Sequence, residues 1–562
     1  DEKSIYLLRK RNNILPFVKQ IDTTSGEFPA ATNYLYLTYN ASSHDVKFDN
    51  NGIMVLGCGS YRIGSSVEFD WCAVSCINTL KRNKKYSIVV NYNPETVSTD
   101  YNVSDRLYFE EISKETVTDI YNLESSEGVI LSVGGQIPNN LALSLYDNSV
   151  KVLGTHPLDI DRAEDRHKFS KLLDTINVNQ PQWKEVNKIQ DAIDFSNKVD
   201  YPVLIRPSYV LSGAAMKVAE NQDQLIDYLN IATSVSNDCP VVISKFILNA
   251  KEIEIDAVAD KGQLINYAIS EHLENAGVHS GDATIILPAQ KLYLETKKKV
   301  KRITKKIAQQ LNISGPFNIQ FISKENEIKV IECNLRASRS FPFVSKTLDV
   351  NFINIATNIM ISKKYNPGQI HIDDIEYVGI KVPMFSFKRL PNVDPVLGVE
   401  MVSTGEVAAF GYDVKETYLT ALKSVGFKIP NKNILVSIGD DKYRYEFISS
   451  VNILKQLGYK IYATKGTHLF FNSKKLDTCF IDYSRAVEFI EKNTIDLVIN
   501  IPRNMFNSNE NNTNGFLMRR KCIDYDVSLL TNIKCARLFG ASLKKLKKSN
   551  FSCMSYQEYI QN

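Results

Sequence analysis

Two stretches of this chain share one grammar, an apolar run ending in glycine and then an amphipathic segment, and they enclose a third stretch that breaks it. "GIMVLGCGS" (52–60) leads into "SVEFDWCAVSCINTLKRN", then "YSIVVNYN", "GVILSVGGQ" and "VKVLGTHP". Strands alternating with helices require a parallel, doubly wound sheet covered on both faces. From about Arg166 the pattern changes. "YPVLIRPSYVLSGAAMKVA", "CPVVISKFI", "KEIEIDAVADKGQLINYAI", "FNIQFIS" and "EIKVIECN" are strands joined by short turns, with helices between some of them. That is an α+β unit on antiparallel sheets. Alternation returns near residue 433 with "NILVSIGDD", "YKIYATKG" and "IDLVINIP". Residues 1–50 read as a helical and irregular lead-in closed by the polar linker "NASSHDVKFDNNG", and "NSNENNTNG" (507–515) as an exposed, mobile insertion.

Bulk properties exclude more than they identify. A chain of 562 residues holds roughly three to four domains, and an apolar fraction of 44% suffices for their cores. The formal charge of +4 argues against nucleic acid or an acidic membrane as partner. Nine cysteines without a Cys-x-x-Cys pair fit a reducing compartment. No signal peptide and no bilayer-length apolar run is visible, so the reading is soluble and cytoplasmic. The chain begins at Asp1, which reads as a piece of something longer.

Glycine turns alone do not decide function here. Gly57, Gly59 and Gly64 follow a strand, but Arg62 stands where a dinucleotide fingerprint needs its third glycine. "SVGGQIPNN" is equally open between structure and binding. "PSYVLSGAAM" (207–216), directly after Arg206, is either a backbone cradle for a triphosphate or an ordinary hairpin. "KKKVKRITKK" (297–306) invites a nucleic-acid reading, yet Val300, Ile303, Ile307 and Leu311 form a helical apolar stripe that makes the lysines a solvated face.

"IKVIECNLRASRS" (328–340) is more specific. Residues two apart in a strand share a face, so Glu332 and Asn334 can hold one hard cation while Ile331 and Cys333 face the core. Arg336 and Arg339 follow at once, and guanidinium forks suit phosphate and carboxylate oxygens. Gln320, on "FNIQF", becomes a cross-strand neighbour through the turn "SKENE". One carboxylate and two amide oxygens form a sparse donor set, suited to Mg-ATP rather than a metal cage. In "KEIEIDA", Glu252, Glu254 and Asp256 alternate with apolar residues as half-buried edge strands do. "EHLENAGVHSGDA" places Gly277, His279, Ser280 and Gly281 in a donor-rich turn, where a lone histidine is read first as structural.

With these residues assembled, the chain resembles the C-terminal half of the carbamoyl-phosphate synthetase large subunit. "VEFDWCAVSCINTL", "NYNPETVSTDYNVSDRLYFE", "DRAEDRHKF", "YPVLIRPSYVLSG", "AGVHSGDA", "FNIQF", "VIECNLRASR", "PFVSKT" and "STGEV" occur in the family's order. The resemblance implies an α/β and α+β multidomain fold: the tail of an oligomerisation domain and linker (1–50), a doubly wound pre-ATP-grasp domain (51–165), an ATP-grasp domain with C-terminal extension (166–425), and a Rossmann-like methylglyoxal-synthase-like allosteric domain (426–562). It implies roles residue by residue. Arg166 and Arg206 match phosphate-contacting arginines; Lys245, Ile247 and Glu252 match the adenine and ribose pocket; Gly277, Val278, His279 and Ser280 match the turn lining the nucleotide. Gln320, Glu332 and Asn334 match the metal ligands, and Arg336 and Arg339 the groups holding carbamate and the incoming phosphoryl group. Thr464, Lys465 and Thr467, with Lys442, match an effector-binding turn.

The implied reaction is ATP-dependent phosphorylation of carbamate, with Mg2+ or Mn2+ and K+ as further cation. Implied partners are a glutaminase domain or subunit, the first synthetase half, a nucleotide or phosphoribosyl effector, and a second copy of the chain. The pathway is pyrimidine or arginine synthesis. Three departures stand out: Leu335 where the family has proline, Ser212 where it has glycine and Ala214 where the second half has arginine. The rival readings are a biotin-carboxylase-like ATP-grasp ligase and a non-catalytic ATP-binding regulatory module.

Overall fold

Short apolar strands build the N-terminal sheet, and the computed structural model shows seven of them in the order Phe17–Gln20, Tyr34–Thr38, Arg106–Phe109, Ser87–Asn91, Ile53–Leu56, Gly128–Ile130, Val152–Leu153. The structure describes residues 2–49, 51–65, 67–207, 216–235, 241–363, 375–503, 513–546 and 554–561. The loop bearing Ser212 and Ala214, and residues 507–512 of the asparagine-rich stretch, lie outside the described residues. Every pairing in this sheet is parallel except that between Phe17–Gln20 and Tyr34–Thr38. Helix Glu2–Arg11 bears out the helical part of the lead-in, but these two strands correct its reading as otherwise irregular: "FVKQ" and "YLYLT" bury Val18 and Leu35 and extend the sheet at its edge. Helix Val67–Arg82 covers one face, with Cys72, Cys76 and Leu80 buried at a spacing of four.

Two antiparallel sheets form the middle unit. The smaller runs Lys217–Ala219, Val203–Arg206, Val241–Lys245, Trp183–Val186. The larger runs Glu327–Asn334, Gly315–Lys324, Lys251–Asp260, Gln263–Asn275, Ile285–Leu287, Val378–Met384, Gly405–Gly411. Lys251–Asp260 is thus a central strand, not an edge, with residues 252–259 all buried. Helix Leu294–Gln310 buries Val300 and Ile307 and turns Lys298, Lys305 and Lys306 outward.

A parallel sheet in the order Cys479–Phe480, Lys460–Ala463, Asn433–Ile438, Leu497–Ile501, Ser528–Leu530 forms the C-terminal unit. One apolar core joins it to the larger sheet through Ile380, Val382, Leu419, Ile434 and Phe539. Polar clamps reinforce that joint: Arg519 Nε donates to Asp394 Oδ1 at 2.7 Å and Cys535 Sγ to Glu274 Oε1 at 3.0 Å. Among the described residues no helix is long and apolar enough to cross a membrane.

Candidate active site

The site begins with a slip in strand Glu327–Asn334. Phe321 pairs with Val330 but Gln320 pairs with Glu332, so Ile331 is an extra residue, a β-bulge. Ile331 therefore leaves the core face that strict alternation assigned to it and lines the cleft beside Glu332. Cys333 stays buried, and Asn334 sits beside Glu332, its Nδ2 donating to Glu332 Oε1 at 3.0 Å. Gln320 Nε2 donates to Ser280 Oγ at 2.9 Å, which leaves its carbonyl oxygen as the lone-pair donor.

Charge is concentrated and desolvated here. Arg166 contacts Glu332 Oε2 at 2.7 Å. Burial pushes the Glu332 carboxyl up, but the Arg166 guanidinium and the Asn334 amide outweigh it and bring it down to about 2. Arg206 is 4% exposed; one terminal nitrogen donates to Ile331 O at 3.1 Å, and its buried Nε has no partner among the described residues. Burial, then the charge of Arg166, lowers its pKa to about 9. A buried donor without an acceptor is costly unless an anion arrives.

Lys245 Nζ donates to the carbonyls of Asp200 and Tyr201 at 2.9 and 3.1 Å, and Ile247 and Glu252 line the same cleft. Burial, only partly opposed by His272, raises Glu252 to about 7. Gly277, Val278, His279 and Ser280 form one wall; His279 N donates to Gly398 O at 2.8 Å and burial lowers the imidazole pKa. Gln320, Glu332, Asn334 and Arg336 also line a smaller adjoining cavity of about 70 Å³. Arg336 thus faces both spaces. Arg339 faces only the smaller one, where it is ion-paired to Glu68 of the N-terminal unit.

The loop bearing both arginines is pinned from beneath. Asp256 accepts from Ser338 and Ser340 at 2.6 and 2.7 Å, while Asn318 Nδ2 bridges Glu254 and Asp256 at 2.7 and 2.8 Å. So the alternating acids of "KEIEIDA" are a buried polar ladder, not the polar side of a half-buried edge strand.

Sequence reasoning missed Gln136 and Glu164, which enter the cleft from the N-terminal side, and the apolar lining of Leu204, Met216, Phe246 and Val399. Its only signal for Gln136 was the open "GGQ" turn. No cluster of three His, Cys, Asp or Glu able to hold a metal occurs among the described residues. One carboxylate held ionised beside two amide oxygens fits Mg2+ that completes its shell with phosphate and water.

The effector-turn residues lie in the C-terminal unit, at the C-terminal ends of its strands. Thr464 Oγ1 donates to Ser437 Oγ at 3.0 Å, and Thr467 Oγ1 accepts from Ile438 N at 3.0 Å. Lys465 is exposed, as is Lys442, whose backbone N–H is capped by Asp440.

Comparison with known proteins matches three family descriptions: carbamoyl phosphate synthase preATP-grasp domain over 49–162, carbamoyl-phosphate synthase L chain ATP binding domain over 165–366, and MGS-like domain over 446–531. Multifunctional protein pyrABCN of Emericella nidulans is 54% identical over 99% of this chain, which spans 25% of that protein. Multifunctional protein URA2 of Saccharomyces cerevisiae is 54% identical over 97% of the chain, again 25% of its own length. The mitochondrial carbamoyl-phosphate synthase (ammonia) of Rattus norvegicus is 50% identical over 98% of the chain and 38% of its own length. Among solved structures, a biotin carboxylase from Campylobacter jejuni aligns with TM-score 0.51 at 15% identity, covering 67% of this chain and 91% of that one. An N5-carboxyaminoimidazole ribonucleotide synthetase aligns with TM-score 0.51 at 11% identity, covering 67% and 96%. These two likenesses concern the fold alone.

Proposed function

The chain belongs to the carbamoyl-phosphate synthase family, and on that premise we propose that it transfers the γ-phosphoryl group of ATP to carbamate, releasing ADP and carbamoyl phosphate. A carbamate oxygen attacks the γ-phosphorus, the bond to the bridging oxygen breaks, and its electron pair leaves on the β-phosphate of ADP. No covalent enzyme intermediate is needed, so positioning and charge neutralisation carry the catalysis.

Gln320, Glu332 and Asn334 would hold Mg2+, which when bound neutralises phosphate oxygens; Mn2+ has the same ligand preference, and K+ is left to experiment. Arg206 and Arg166 take the triphosphate. Lys245, Ile247 and Glu252 take the nucleoside end, and the turn 277–280 closes over it. Arg336 and Arg339 hold the carboxylate of the small substrate. One observation carries this reading: the donor set Gln320, Glu332 and Asn334 forms the shared wall between the arginine-lined cleft and the smaller cavity. Phosphoryl donor and acceptor meet there.

The chain spans 25% of the multifunctional relatives it matches, so the complete activity is proposed for a larger assembly. A glutaminase and a first synthetase half, in the same or another polypeptide, would supply carbamate. The C-terminal unit would bind a nucleotide or phosphoribosyl effector at Lys442, Thr464, Lys465 and Thr467. The test is the reverse partial reaction, ATP formation from MgADP and carbamoyl phosphate. Tight MgADP binding without ATP formation would instead favour a non-catalytic regulatory module.

A further inference from the structure

We propose that Gln136, in the "GGQ" turn of the N-terminal unit, is a positioning residue that orients Arg336 toward the anionic substrate without neutralising it. The inference rests on the phosphoryl-transfer reading above. Gln136 opens the short helix Gln136–Asn140, after a turn that other side chains cannot build. A Cβ on Gly134 would lie 2.4 Å from Gly57 O and 2.5 Å from Leu56 O, and Gly135 has φ +81°. The turn therefore requires glycine at both positions, and it delivers Gln136, 6% exposed, into the cleft of the neighbouring unit.

All four hydrogen-bonding positions of that carboxamide are used. Its oxygen accepts from Arg336 Nε at 3.0 Å and from a terminal nitrogen of the same guanidinium at 2.7 Å. Its nitrogen donates to Glu164 Oε2 at 2.9 Å and Asn140 Oδ1 at 2.7 Å. Since the Arg336 guanidinium can only donate, the orientation with the Gln136 oxygen toward it and the nitrogen toward Glu164 satisfies every group.

The neighbouring arginines are held differently. Arg166 is paired with Glu332 and Arg339 with Glu68, each carboxylate cancelling much of the charge it fixes. The other partners of Arg336 are Ala337 O at 3.0 Å and Asn334 Oδ1 at 3.4 Å, both neutral. Glu164 stands behind the amide, and it and Glu332 act on Arg336 only across space, without a direct ion pair. An amide oxygen fixes a guanidinium in the geometry an ion pair would give, yet leaves its charge for a carboxylate or phosphoryl oxygen. The same wall touches both cavities, so a small acceptor would meet an arginine already aimed.

The test is the reverse reaction with Gln136→Met, Gln136→Glu and wild type. Met fills the space but accepts no guanidinium bond, so kcat falls by about 10–10². Glu keeps the acceptor for Arg336 but turns its second oxygen on Glu164, so at a pH high enough to ionise both carboxylates it neutralises the arginine and KM for carbamoyl phosphate rises by about tenfold or more, while KM for MgADP in both variants stays within about twofold. In an Arg336→Ala background, Gln136→Met costs less than about a further twofold, because its effect runs through that arginine. A Gln136→Glu enzyme whose kinetics stay wild-type to the alkaline end of its pH profile overturns the inference. Parallel rises in both KM values, or losses that multiply in the double variant, also overturn it by marking a turn that merely supports the fold. A wild-type chain that makes no ATP overturns the reading beneath it and this inference with it.

Discussion

The cleft and the C-terminal turn are both suited to phosphate, but they are built on opposite electrostatic terms. In the cleft, Arg206 is out of water and its Nε has no acceptor among the described residues, while Glu332 is mostly covered and ion-paired to Arg166. In the C-terminal unit the hydroxyls of Thr464 and Thr467 are engaged with Ser437 and Ile438, and the cations that remain, Lys442 and Lys465, are exposed. Fixed dipoles and charges in a dry site act strongly on charge that develops there, whereas an exposed ammonium is screened. The contrast suits the roles proposed for them, lowering a barrier in the cleft and biasing an equilibrium at the C-terminal turn.

Glu332→Ala is the most severe way to break that contrast. It removes the only carboxylate of the proposed metal set and the Glu332 half of the ion pair with Arg166. ATP formation from carbamoyl phosphate should fall by more than about 10³-fold, and urea unfolding should show a loss of about 3–5 kcal/mol. A variant as stable as wild type would mean that Arg166 is solvated at no cost. Arg336→Ala follows, with a fall in rate of about 10²–10³ and little change in unfolding. Near-normal phosphoryl transfer would remove Arg336 from the site.

The pinning network offers a sharper test, because its protonation is tied to burial. Burial, then the charge of Glu254, raises Asp256 from 3.8 to about 7. Below about pH 4 the group is protonated folded or unfolded; between about 4 and 7 only the folded state holds the proton, so its contribution to stability declines as pH rises, by up to about 1.4 kcal/mol per pH unit. Asp256→Asn lacks that titration. Its stability relative to wild type should therefore climb from pH 5 to pH 7 and level off above, measured by urea unfolding. Parallel curves for the two proteins would count against a raised Asp256.

What could be read in advance follows how far a partner lies along the chain. Gln320 and Glu332 are joined by a short turn, so period-two alternation brought them together correctly. The same alternation misplaced Ile331, because a bulge is set by the register of both strands and leaves no mark in one. Glu254 and Asp256 resembled the polar side of a half-buried edge strand because their partners, Asn318, Ser338 and Ser340, are distant in sequence. Gln136 lies 200 residues from Arg336. Local pattern gives a glycine turn no direction; only the packing of the two units aims it. Residues 17–38 failed for a different reason: strands of 4 and 5 residues are too short for their alternation to stand out.

Lys465→Ala should have the smallest effect and is the finest probe of the comparison. The side chain is exposed and lies at the start of helix Lys465–Ser473, where backbone N–H groups already favour an anion. Removing one solvated ammonium costs about 0.2–1 kcal/mol, so the proposed nucleotide or phosphoribosyl effector should bind only a few-fold more weakly. The change should shrink further as salt is raised. Calorimetric titration at two ionic strengths reads this directly, and the reverse-reaction kcat without effector should not move. A hundredfold, salt-insensitive loss would show that Lys465 becomes buried when ligand binds, and the C-terminal turn would then belong with the cleft rather than opposite it.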